Sequence, residues 1–399
     1  MGWNRRSDIV GYLELPGPDQ AAGGAPQGDA AVYVHVPFCT HLCTYCDFDT
    51  FAGEEGRMGS YVAAVVEQIR RSPTMRATSL YVGGGTPSLM SPSQAEDLVR
   101  ACRGRFRLPA EAETTIEANP SGLSRERLEG FRLAGFNRLS LGAQSADARL
   151  LRLLGRRHKP EEIEAAVAHA RGAGFENVSV DLLYGVPYQE VATWEATLRA
   201  AVGWGVDHIS CYALTVEAGT PLEHGVSKGT LRVPPDETVV QMYDAARRLL
   251  GGAGYRHYEI SNWARPGFES AHNLTYWRNR PYLGIGAGAA GCHNGRRYKV
   301  APDIQGYIEG VTAGRVPLME EEAIDARRAM SDSLILGLRL EQGVSLPELR
   351  QRHGQDPSEL FGDALEWGAR WGLLEQRGDQ IRLTEQGVLL SNELFARLL

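Results

Sequence analysis

The sequence has no apolar run of the roughly 18–20 residues that a helix needs to cross a bilayer. Its opening stretch, MGWNRRSDIVGYLELPGPDQ, has two arginines but no apolar segment behind them, so it resembles neither a secretory nor a twin-arginine signal. These absences predict a protein that is not integral to a membrane and that resides in the cytoplasm.

The chain also has no excess of positive charge and few cysteines. Its net charge is −7 and its basic residues are spread along the chain, which argues against a nucleic-acid partner. Of its six cysteines, three fall within FCTHLCTYCDF, residues 38–48. In a cytoplasmic chain, where thiols stay reduced, clustered cysteines indicate metal binding more than disulfides.

Strand-like and helix-like segments alternate through the first two thirds of the chain. Six strand candidates separated by helical patterns imply parallel strands joined by crossovers. We therefore predict an α/β fold, an incomplete (β/α)6 barrel, with ligand chemistry at the carboxyl ends of its strands. The strand candidates are residues 31–36, 79–83, 114–118, 138–142, 177–183 and 208–214.

Composition divides the chain into four predicted regions. Residues 1–30, of which 15–30 are rich in Pro, Gly and Ala, are expected to be a flexible leader, and residues 31–255 the partial barrel. Residues 256–322, rich in Gly, Asn, Trp and Tyr, are expected to be a linker or extension. Residues 323–399 combine helical patterns with a hairpin that turns at Gly378-Asp379, which predicts a mixed, winged-helix-like domain.

The cysteine cluster supplies three ligands. A tetrahedral metal ion or a cluster of four irons binds four ligands. Cys39, Cys43 and Cys46 are spaced C-x₃-C-x₂-C. Iron–sulfur clusters are held by thiolates, usually four, so a [4Fe–4S] cluster here would leave one iron open. The alternative is a zinc site completed by His41 or His35, since sites of three cysteines and one histidine are common. The other cysteines are distant in sequence: Cys102, Cys211 and Cys292.

The residues around the cluster favour iron over zinc. YVHVPFCTHLCTYCDF resembles the cluster motif of radical S-adenosylmethionine (SAM) proteins, specifically the branch related to anaerobic coproporphyrinogen III oxidase. The resemblance extends from about residue 31 to the C-terminus. It implies a [4Fe–4S] cluster whose open iron takes the amino and carboxylate groups of SAM, and a reductant that supplies electrons. In that superfamily, reduction of the cluster cleaves SAM to a 5′-deoxyadenosyl radical.

Polar residues at successive strand ends match the SAM contacts of this family. The glycines of YVGGGTPS, residues 81–88, let a ligand approach closely, and a carboxylate at a strand end can accept hydrogen bonds from a ribose. Each residue alone also has a structural explanation, as a tight turn, a surface amide or a solvated charge. The resemblance implies one or two bound SAM molecules, with Arg157 as an alternative to Arg156. The implied cofactor-binding residues are Tyr33, Tyr45, Gly84, Gly85, Thr86, Glu117, Gln144, Arg156 and Asp181.

Two further stretches resemble the HemW-like heme chaperones of that branch rather than the oxidases. The oxidases carry a cysteine two positions beyond the third cluster cysteine, where this chain has Phe48. HNLTYW, residues 272–277, matches the HNxxYW motif of the chaperone group. The match implies that His272 ligates heme iron, with Tyr276 and Trp277 against the porphyrin. The structural alternative is that His272 is a capping or core histidine.

The resemblance thus predicts a chaperone that binds heme beside a SAM-bearing cluster and passes it to an acceptor protein, such as a membrane cytochrome. One departure is Ala290, in the glycine-rich segment 282–295, where the family commonly has histidine. This departure keeps open a radical SAM enzyme, either one that decarboxylates coproporphyrinogen III or a HemN-like methyltransferase.

Overall fold

The computed structural model describes residues 9–16 and 28–399. The strands are β1 (Gly11–Glu14), β2 (Asp29–Val36), β3 (Phe38–Cys39), β4 (Phe51–Ala52), β5 (Arg76–Gly84), β6 (Glu113–Ala118), β7 (Arg138–Gln144), β8 (Asn177–Tyr184), β9 (His208–Ala213), β10 (Arg256–Glu259), β11 (Asn262–Ala264), β12 (Tyr282–Ile285), β13 (Ala290–His293), β14 (Arg296–Val300), β15 (Arg315–Ala323), β16 (Val344–Ser345), β17 (Leu374–Arg377) and β18 (Gln380–Leu383). The α-helices are α1 (Met58–Arg71), α2 (Pro92–Arg105), α3 (Arg125–Ala134), α4 (Ala148–Leu153), α5 (Pro160–Gly172), α6 (Val191–Gly203), α7 (Pro221–Ser227), α8 (Asp236–Gly252), α9 (Ala271–Trp277), α10 (Ile304–Thr312), α11 (Ala326–Gly337), α12 (Leu346–His353), α13 (Pro357–Arg370), α14 (Glu385–Leu389) and α15 (Ser391–Leu398). None of the helices in this part of the chain is both long enough and apolar enough to cross a membrane.

Six parallel strands form the centre of the fold. Within the described residues a 13-stranded sheet runs in the order β1-β15-β14-β13-β12-β2-β5-β6-β7-β8-β9-β11-β10. β2 and β5 to β9 lie side by side, and each pair is parallel with at least one helix in its crossover. A parallel neighbour requires such a crossover, which explains the alternation seen in the sequence. The predicted α/β fold is confirmed, and because the strand order is linear the barrel is incomplete.

The main apolar core surrounds these central strands. Helices cover the parallel sheet, so inward and outward side chains of a strand are both buried. α1, α2, α3 and α5 bury an apolar stripe against the strands. Buried apolar residues of the core strands include Val32, Val34, Leu80, Val82, Ile116, Leu139, Leu141, Val178 and Val180.

Local signals fix where the crossover helices begin and end. Ser91 caps α2: its hydroxyl accepts from the Gln94 backbone N–H, and the Gln94 side chain accepts from the Ser91 N–H. Ser124 accepts from a backbone N–H at the start of α3, and α3 ends at Gly135 with a φ of +108°. Because these caps satisfy backbone groups that helix ends leave open, the turns between strands and helices are well defined.

The strands of residues 256–322 extend the same sheet at both edges. β10 and β11 form an antiparallel pair that adds to β9. β12 is parallel to β2, with Tyr282 opposite Ala31, and β13, β14 and β15 continue outwards from it as antiparallel strands. This region is therefore an extension built into the sheet.

The predicted flexible leader needs a correction at residues 11–14. These residues form β1, which pairs antiparallel with β15, so that Gly11 lies opposite Leu318 and Glu14 opposite Arg315. The edge strand β15 offers unpaired backbone groups, and pairing with β1 satisfies them. Residues 1–8 and 17–27 of the predicted leader lie outside the described residues.

Residues 323–399 build a second core of their own. α11 to α15 pack with a three-stranded sheet, β16-β18-β17. β17 and β18 pair antiparallel, which confirms the predicted hairpin, and Gly378 adopts a φ of +61° at its turn. This part also contacts the barrel, because Arg247 of α8 forms an ion pair with Glu385 of α14.

Candidate functional site

One cavity opens at the carboxyl ends of the central strands. Its volume is about 390 Å³, and it lies where parallel α/β sheets present their ligands. All three clustered cysteines line it, together with most of the residues predicted to bind SAM. The predicted residues that line it are Cys39, Cys43, Cys46, Tyr45, Gly84, Gly85, Thr86, Glu117, Gln144, Arg156 and Asp181.

The cysteines lie on a loop, residues 38–50, that is fixed at its middle; we call it the cysteine loop. Thr44 donates from its backbone N–H to the Leu154 carbonyl (3.2 Å) and from its hydroxyl to the Leu153 carbonyl (2.9 Å). Gly155 follows with a φ of +74°, and a Cβ there would lie 3.1 Å from the Thr44 nitrogen. Position 155 therefore favours glycine both for its left-handed backbone and for the close approach of the loop.

Hydrogen-bonded side chains join Cys39 to Cys43 along the cavity wall; we call them the relay. The Thr86 hydroxyl lies 3.6 Å from Cys39 Sγ and accepts from Asn119 Nδ2 at 3.0 Å. Arg156 donates to Asn119 Oδ1 at 2.5 Å and to Cys43 Sγ at 3.6 Å. Donors aimed at a sulfur favour its thiolate form over the thiol. The relay residues come from three different strand-to-helix connections, so only the fold brings them together.

The structure distinguishes the two arginines of LGRRH. Arg156 lies inside the cavity, where it also donates to the Gly142 carbonyl at 2.6 Å. Arg157 is exposed and does not line the cavity. The sequence analysis missed Asn119, although its position two residues beyond Glu117 at the same strand end was a usable signal.

Burial disfavours the thiolate form of two of the three clustered cysteines. It raises the pKa of Cys39, and it raises the pKa of Cys46 to about 11. A thiolate in such a place needs positive charge nearby, and the Arg156 guanidinium or a bound metal supplies it. The donor set therefore fits a group that ligates thiolates.

Two carboxylates face the cavity from the ends of β6 and β8. Glu117 accepts from the Tyr81 hydroxyl at 2.7 Å and from the Gly84 backbone N–H at 3.0 Å. Burial raises the pKa of Glu117 to about 7. Burial also raises the pKa of Asp181, which accepts from the Ser140 hydroxyl at 3.2 Å. These carboxyl groups can accept hydrogen bonds from a ligand rich in hydroxyl or amino groups.

Glycine is required where the cysteine loop packs against the end of β5. Gly84 has a φ of +115°, and a Cβ on it would lie 2.7 Å from the His35 ring. A Cβ on Gly85 would lie 2.5 Å from the Phe38 carbonyl oxygen and 3.0 Å from Cys39 Sγ. Any larger residue at either position would push the first cysteine away from the cavity wall.

Gln144 and Tyr45 line the cavity with restricted geometry. Gln144 has a φ of +63°, an uncommon backbone conformation for a residue other than glycine, and such strain is concentrated at functional sites. The Tyr45 ring packs on a small apolar cluster beside the cavity, which limits its movement. This cluster consists of Leu150, Leu154, Leu183 and Val186.

Tyr33 does not line the cavity, and its predicted contact with SAM stays a prediction. Its hydroxyl donates to His35 Nδ1 at 2.9 Å, and its ring stacks on Tyr81 with centroids 6.2 Å apart. His35 Nε2 donates to the Asp49 carbonyl at 2.9 Å. Lys299 of β14 forms an ion pair with the Asp49 carboxylate at 2.9 Å. These residues support the cysteine loop on the side away from the cavity. The sequence analysis missed Asp49 and Lys299 because their ion pair joins distant segments of the chain.

The glycine-rich segment 282–295 packs beneath the cysteine loop. Gly288 has a φ of +84°, and a Cβ on it would lie 2.9 Å from the Asp49 Cβ. Ala290, where the resemblance leads one to expect histidine, is exposed on β13 opposite Lys299 and does not line the cavity. The glycines here serve close packing of the loop.

The zinc alternative lacks a gathered set of ligands in the described part of the chain. Both ring nitrogens of His35 are hydrogen bonded within the protein. Among residues 9–16 and 28–399, no three His, Cys, Asp or Glu side chains gather as the ligands of one metal ion do. In the same part of the chain no other cysteine lines the cavity; the remaining three are Cys102, Cys211 and Cys292. A multi-iron cluster, in contrast, does not require its cysteines to converge on one point.

Helix α9 buries His272 outside the cavity. His272 is 1% exposed, with Nδ1 2.8 Å from the Ser79 hydroxyl and Nε2 2.9 Å from the Tyr276 hydroxyl. Its ring stacks on Tyr81 with centroids 5.1 Å apart, and burial lowers the pKa of His272 to about 3. Ligation of heme iron by His272 stays a prediction, and it would require the buried ring to become accessible and to leave its Ser79 or Tyr276 partner. The position matches the structural alternative, a core histidine.

The other two aromatic residues of the HNxxYW motif are also engaged within the protein. The Tyr276 ring packs edge-on against Tyr282, with centroids 4.7 Å apart. The Arg339 guanidinium lies over the Trp277 ring at 4.5 Å. In this structure the motif joins α9 to the sheet and to the C-terminal part of the chain.

The chain is similar to known proteins over nearly its whole length. Residues 33–201 match the Radical SAM superfamily, and residues 324–390 match the HemN C-terminal domain. The chain is 34% identical to the heme chaperone HemW of Bacillus subtilis, over 92% of this chain and 99% of that protein. It is 35% identical to the heme chaperone HemW of Mycobacterium tuberculosis, over 97% of this chain and 98% of that protein.

A eukaryotic relative is similar to this chain in sequence, and a solved structure is similar to it in fold. The mitochondrial radical S-adenosyl methionine domain-containing protein 1 of Bos taurus is 37% identical, over 94% of this chain and 84% of that protein. The structure of coproporphyrinogen III oxidase (HemN) from Escherichia coli superposes with a TM-score of 0.81 over 95% of this chain and 92% of that chain. Its identity is 23%, so this likeness concerns the fold alone. The chain belongs to the radical SAM superfamily, within the family of the HemW heme chaperones, and carries a HemN C-terminal domain.

Proposed function

We propose that this protein is a heme chaperone, which binds heme beside a SAM-bearing [4Fe–4S] cluster and passes the heme to an acceptor protein. The relay from Cys39 to Cys43 carries the cluster assignment, since it directs polar groups at two thiols in a cavity large enough for a cofactor. The names of the relatives at 34% and 35% identity support the chaperone assignment.

Cys39, Cys43 and Cys46 are the proposed ligands of the cluster. Thiolates are the usual ligands of iron–sulfur clusters, and three of them leave one iron for another ligand. In the radical SAM superfamily that ligand is SAM, and the bound cluster supplies the electron for SAM chemistry. In this chain Thr86 and Arg156 hold the first two sulfurs, and Lys299 braces the loop through Asp49.

The strand-end residues are the proposed contacts of one or two SAM molecules. Glu117 accepts from ligand hydroxyls, while Gly84 and Gly85 permit close approach of the ligand to the backbone. Gln144, Asp181, Arg156 and Tyr45 also line the cavity. Tyr33 keeps a supporting role through His35 and Tyr81.

The partners follow from this assignment. The chaperone needs a reductant for the cluster and a heme acceptor, such as a membrane cytochrome. We place it in the cytoplasm, because clustered free thiols persist where the environment is reducing.

The alternative function is a radical SAM enzyme that decarboxylates a porphyrinogen or transfers a methyl group. Phe48 argues against the oxidase, because that residue is 66% exposed at the position where the oxidases carry a cysteine. A phenylalanine cannot act as a thiol in electron or proton transfer. Its exposure instead suits contact with an apolar ligand or partner.

A paired assay separates the two functions. Anaerobically reconstituted protein is titrated with hemin, and 5′-deoxyadenosine and S-adenosylhomocysteine are quantified in the same samples under reducing conditions with SAM. The chaperone predicts saturable hemin binding with little SAM consumption. Multiple turnovers of SAM with a porphyrinogen or another small substrate, without saturable hemin binding, would establish the enzyme instead.

A further inference from the structure

The outer rim of the cavity carries two large apolar side chains in solvent. Leu42 is 58% exposed and Phe48 is 66% exposed, although side chains of this kind are usually buried. Both lie on the cysteine loop and both line the cavity, so they form one apolar edge at its mouth. An apolar surface beside a ligand cavity indicates contact with an apolar ligand or partner.

His41 stands on the same rim with its tautomer fixed. Its Nε2 lies 3.0 Å from the Gly155 carbonyl, which can only accept a hydrogen bond, so the ring proton is on Nε2. Nδ1 then carries the lone pair and accepts a hydrogen bond from the exposed Thr40 hydroxyl at 3.2 Å, a partner that a ligand at the surface can displace. Histidines that bind metals usually donate their other ring N–H to a carbonyl or carboxylate in this way.

A cation completes the rim. Arg157 is exposed and follows two residues after Gly155, whose carbonyl accepts from His41 Nε2. In the described part of the chain its side chain forms no ion pair or hydrogen bond. The rim thus offers a metal-binding nitrogen, an apolar edge and a free guanidinium within one small surface.

We propose that His41, Leu42, Phe48 and Arg157 form the heme site, with His41 Nδ1 as an axial ligand of the iron. Leu42 and Phe48 contact the apolar macrocycle, and Arg157 pairs with one of its carboxylates. This inference rests on the proposed function and specifies where the heme binds. An exposed site suits a chaperone, because an acceptor can reach a heme that is bound at a rim.

The test is a hemin titration of the cluster-loaded protein followed by its Soret absorption. His41→Ala is expected to weaken hemin binding about tenfold or more and to shift the Soret band, since an axial ligand is lost. Added imidazole should restore the wild-type spectrum in this variant. His41→Gln retains a donor for the Gly155 carbonyl and should show the same loss, which separates ligation from loop structure. His169→Ala, at an exposed histidine of α5 away from the cavity, is the matched control.

The outcomes separate the site from the function. A His41→Ala protein with wild-type affinity and spectrum would overturn the site and leave the chaperone function standing. Loss of hemin binding in a folded His272→Ala protein, with binding kept in His41→Ala, would also overturn the site and leave the function standing. Absence of hemin binding by the wild type would overturn both. As an independent check, Phe48→Asp and Arg157→Glu should each weaken hemin binding severalfold at these exposed positions.

Discussion

The cysteine loop and helix α9 both carry a histidine among aromatic residues, but the fold treats the two differently. His41 lies on the cavity rim, where Nε2 donates to the Gly155 carbonyl and Nδ1 accepts from the exposed Thr40 hydroxyl. His272 is 1% exposed and both of its nitrogens are hydrogen bonded inside the protein. The same side chain is therefore open to a ligand in one region and part of the core in the other.

The comparison shows that the partners of a histidine, rather than the motif around it, determine its chemistry. His272 joins α9 to Ser79 of β5 and stacks on Tyr81, whose hydroxyl in turn binds Glu117 in the cavity. Loss of His272 can therefore displace Tyr81 and Glu117 and change the cavity, although His272 itself contacts no ligand there. Four predictions test this division between the two regions.

The largest effect is expected at the cluster. Cys43→Ala should abolish the [4Fe–4S] absorption and the iron and sulfide content after anaerobic reconstitution, because the cavity offers no replacement thiol. Cys292→Ala is the matched control at a partly exposed cysteine outside the cavity, and it should keep a full cluster. Stoichiometric zinc without iron in the wild type would refute the cluster.

Gly85→Ala should impair the same region without removing a ligand. Its Cβ would lie 2.5 Å from the Phe38 carbonyl oxygen, so the cysteine loop must shift. We expect a loss of about 1–3 kcal/mol in the free energy of unfolding, together with reduced iron content. Gly56→Ala is the control, since a Cβ there meets no atom within 4 Å. Equal iron content in both variants would show that the loop tolerates the shift.

His272→Ala should affect stability more than hemin affinity. It leaves the Ser79 and Tyr276 hydroxyls without their buried partner and opens a small cavity, at a cost of about 3 kcal/mol. His41→Ala, at the rim, should change the free energy of unfolding by less than about 1 kcal/mol. Urea denaturation of both variants measures this contrast, and a reversed order would contradict the two assigned roles.

The smallest effect is in the pH dependence of stability. The pKa of His272 is about 3 in the folded chain, below its ordinary value near 6.5, so the unfolded chain binds more protons between these values. His272 therefore stabilises the fold above pH 6.5, and this contribution is lost as the pH falls towards 3. In His272→Gln the free energy of unfolding should depend less steeply on pH. Between pH 6.5 and 5 its slope should be smaller than in the wild type by up to about 1.4 kcal/mol per pH unit. Urea denaturation at several pH values measures this slope. An unchanged slope in the variant would show that another group takes up the proton on unfolding.

The central strands could be predicted from the sequence because their signals are local. Each predicted strand overlaps an observed one; for example, residues 177–183 lie within β8 (Asn177–Tyr184). Parallel strands end on one side, so residues at the strand ends could be expected to share a cavity. The three cysteines, Glu117, Gln144 and Asp181 all meet there.

Other features depend on contacts between distant segments and could not be predicted. The choice between Arg156 and Arg157 rests on where Asn119 and the Gly142 carbonyl lie. The pairing of β12 with β2 likewise gave no local signal. His272 was assigned from its motif, whereas its partner Ser79 lies 193 residues earlier in the chain. Such pairings are set by the packing of the whole sheet.

Hydrogen exchange with mass spectrometry tests most directly whether heme binds at the rim or at α9. Cluster-loaded protein is compared with and without saturating hemin, so that the cluster contributes equally to both samples. Our account predicts slower exchange in residues 38–50 and 155–158 on hemin binding, with residues 271–279 unchanged. Hemin-dependent protection of 271–279 without any change at 38–50 would contradict it and return the heme site to α9.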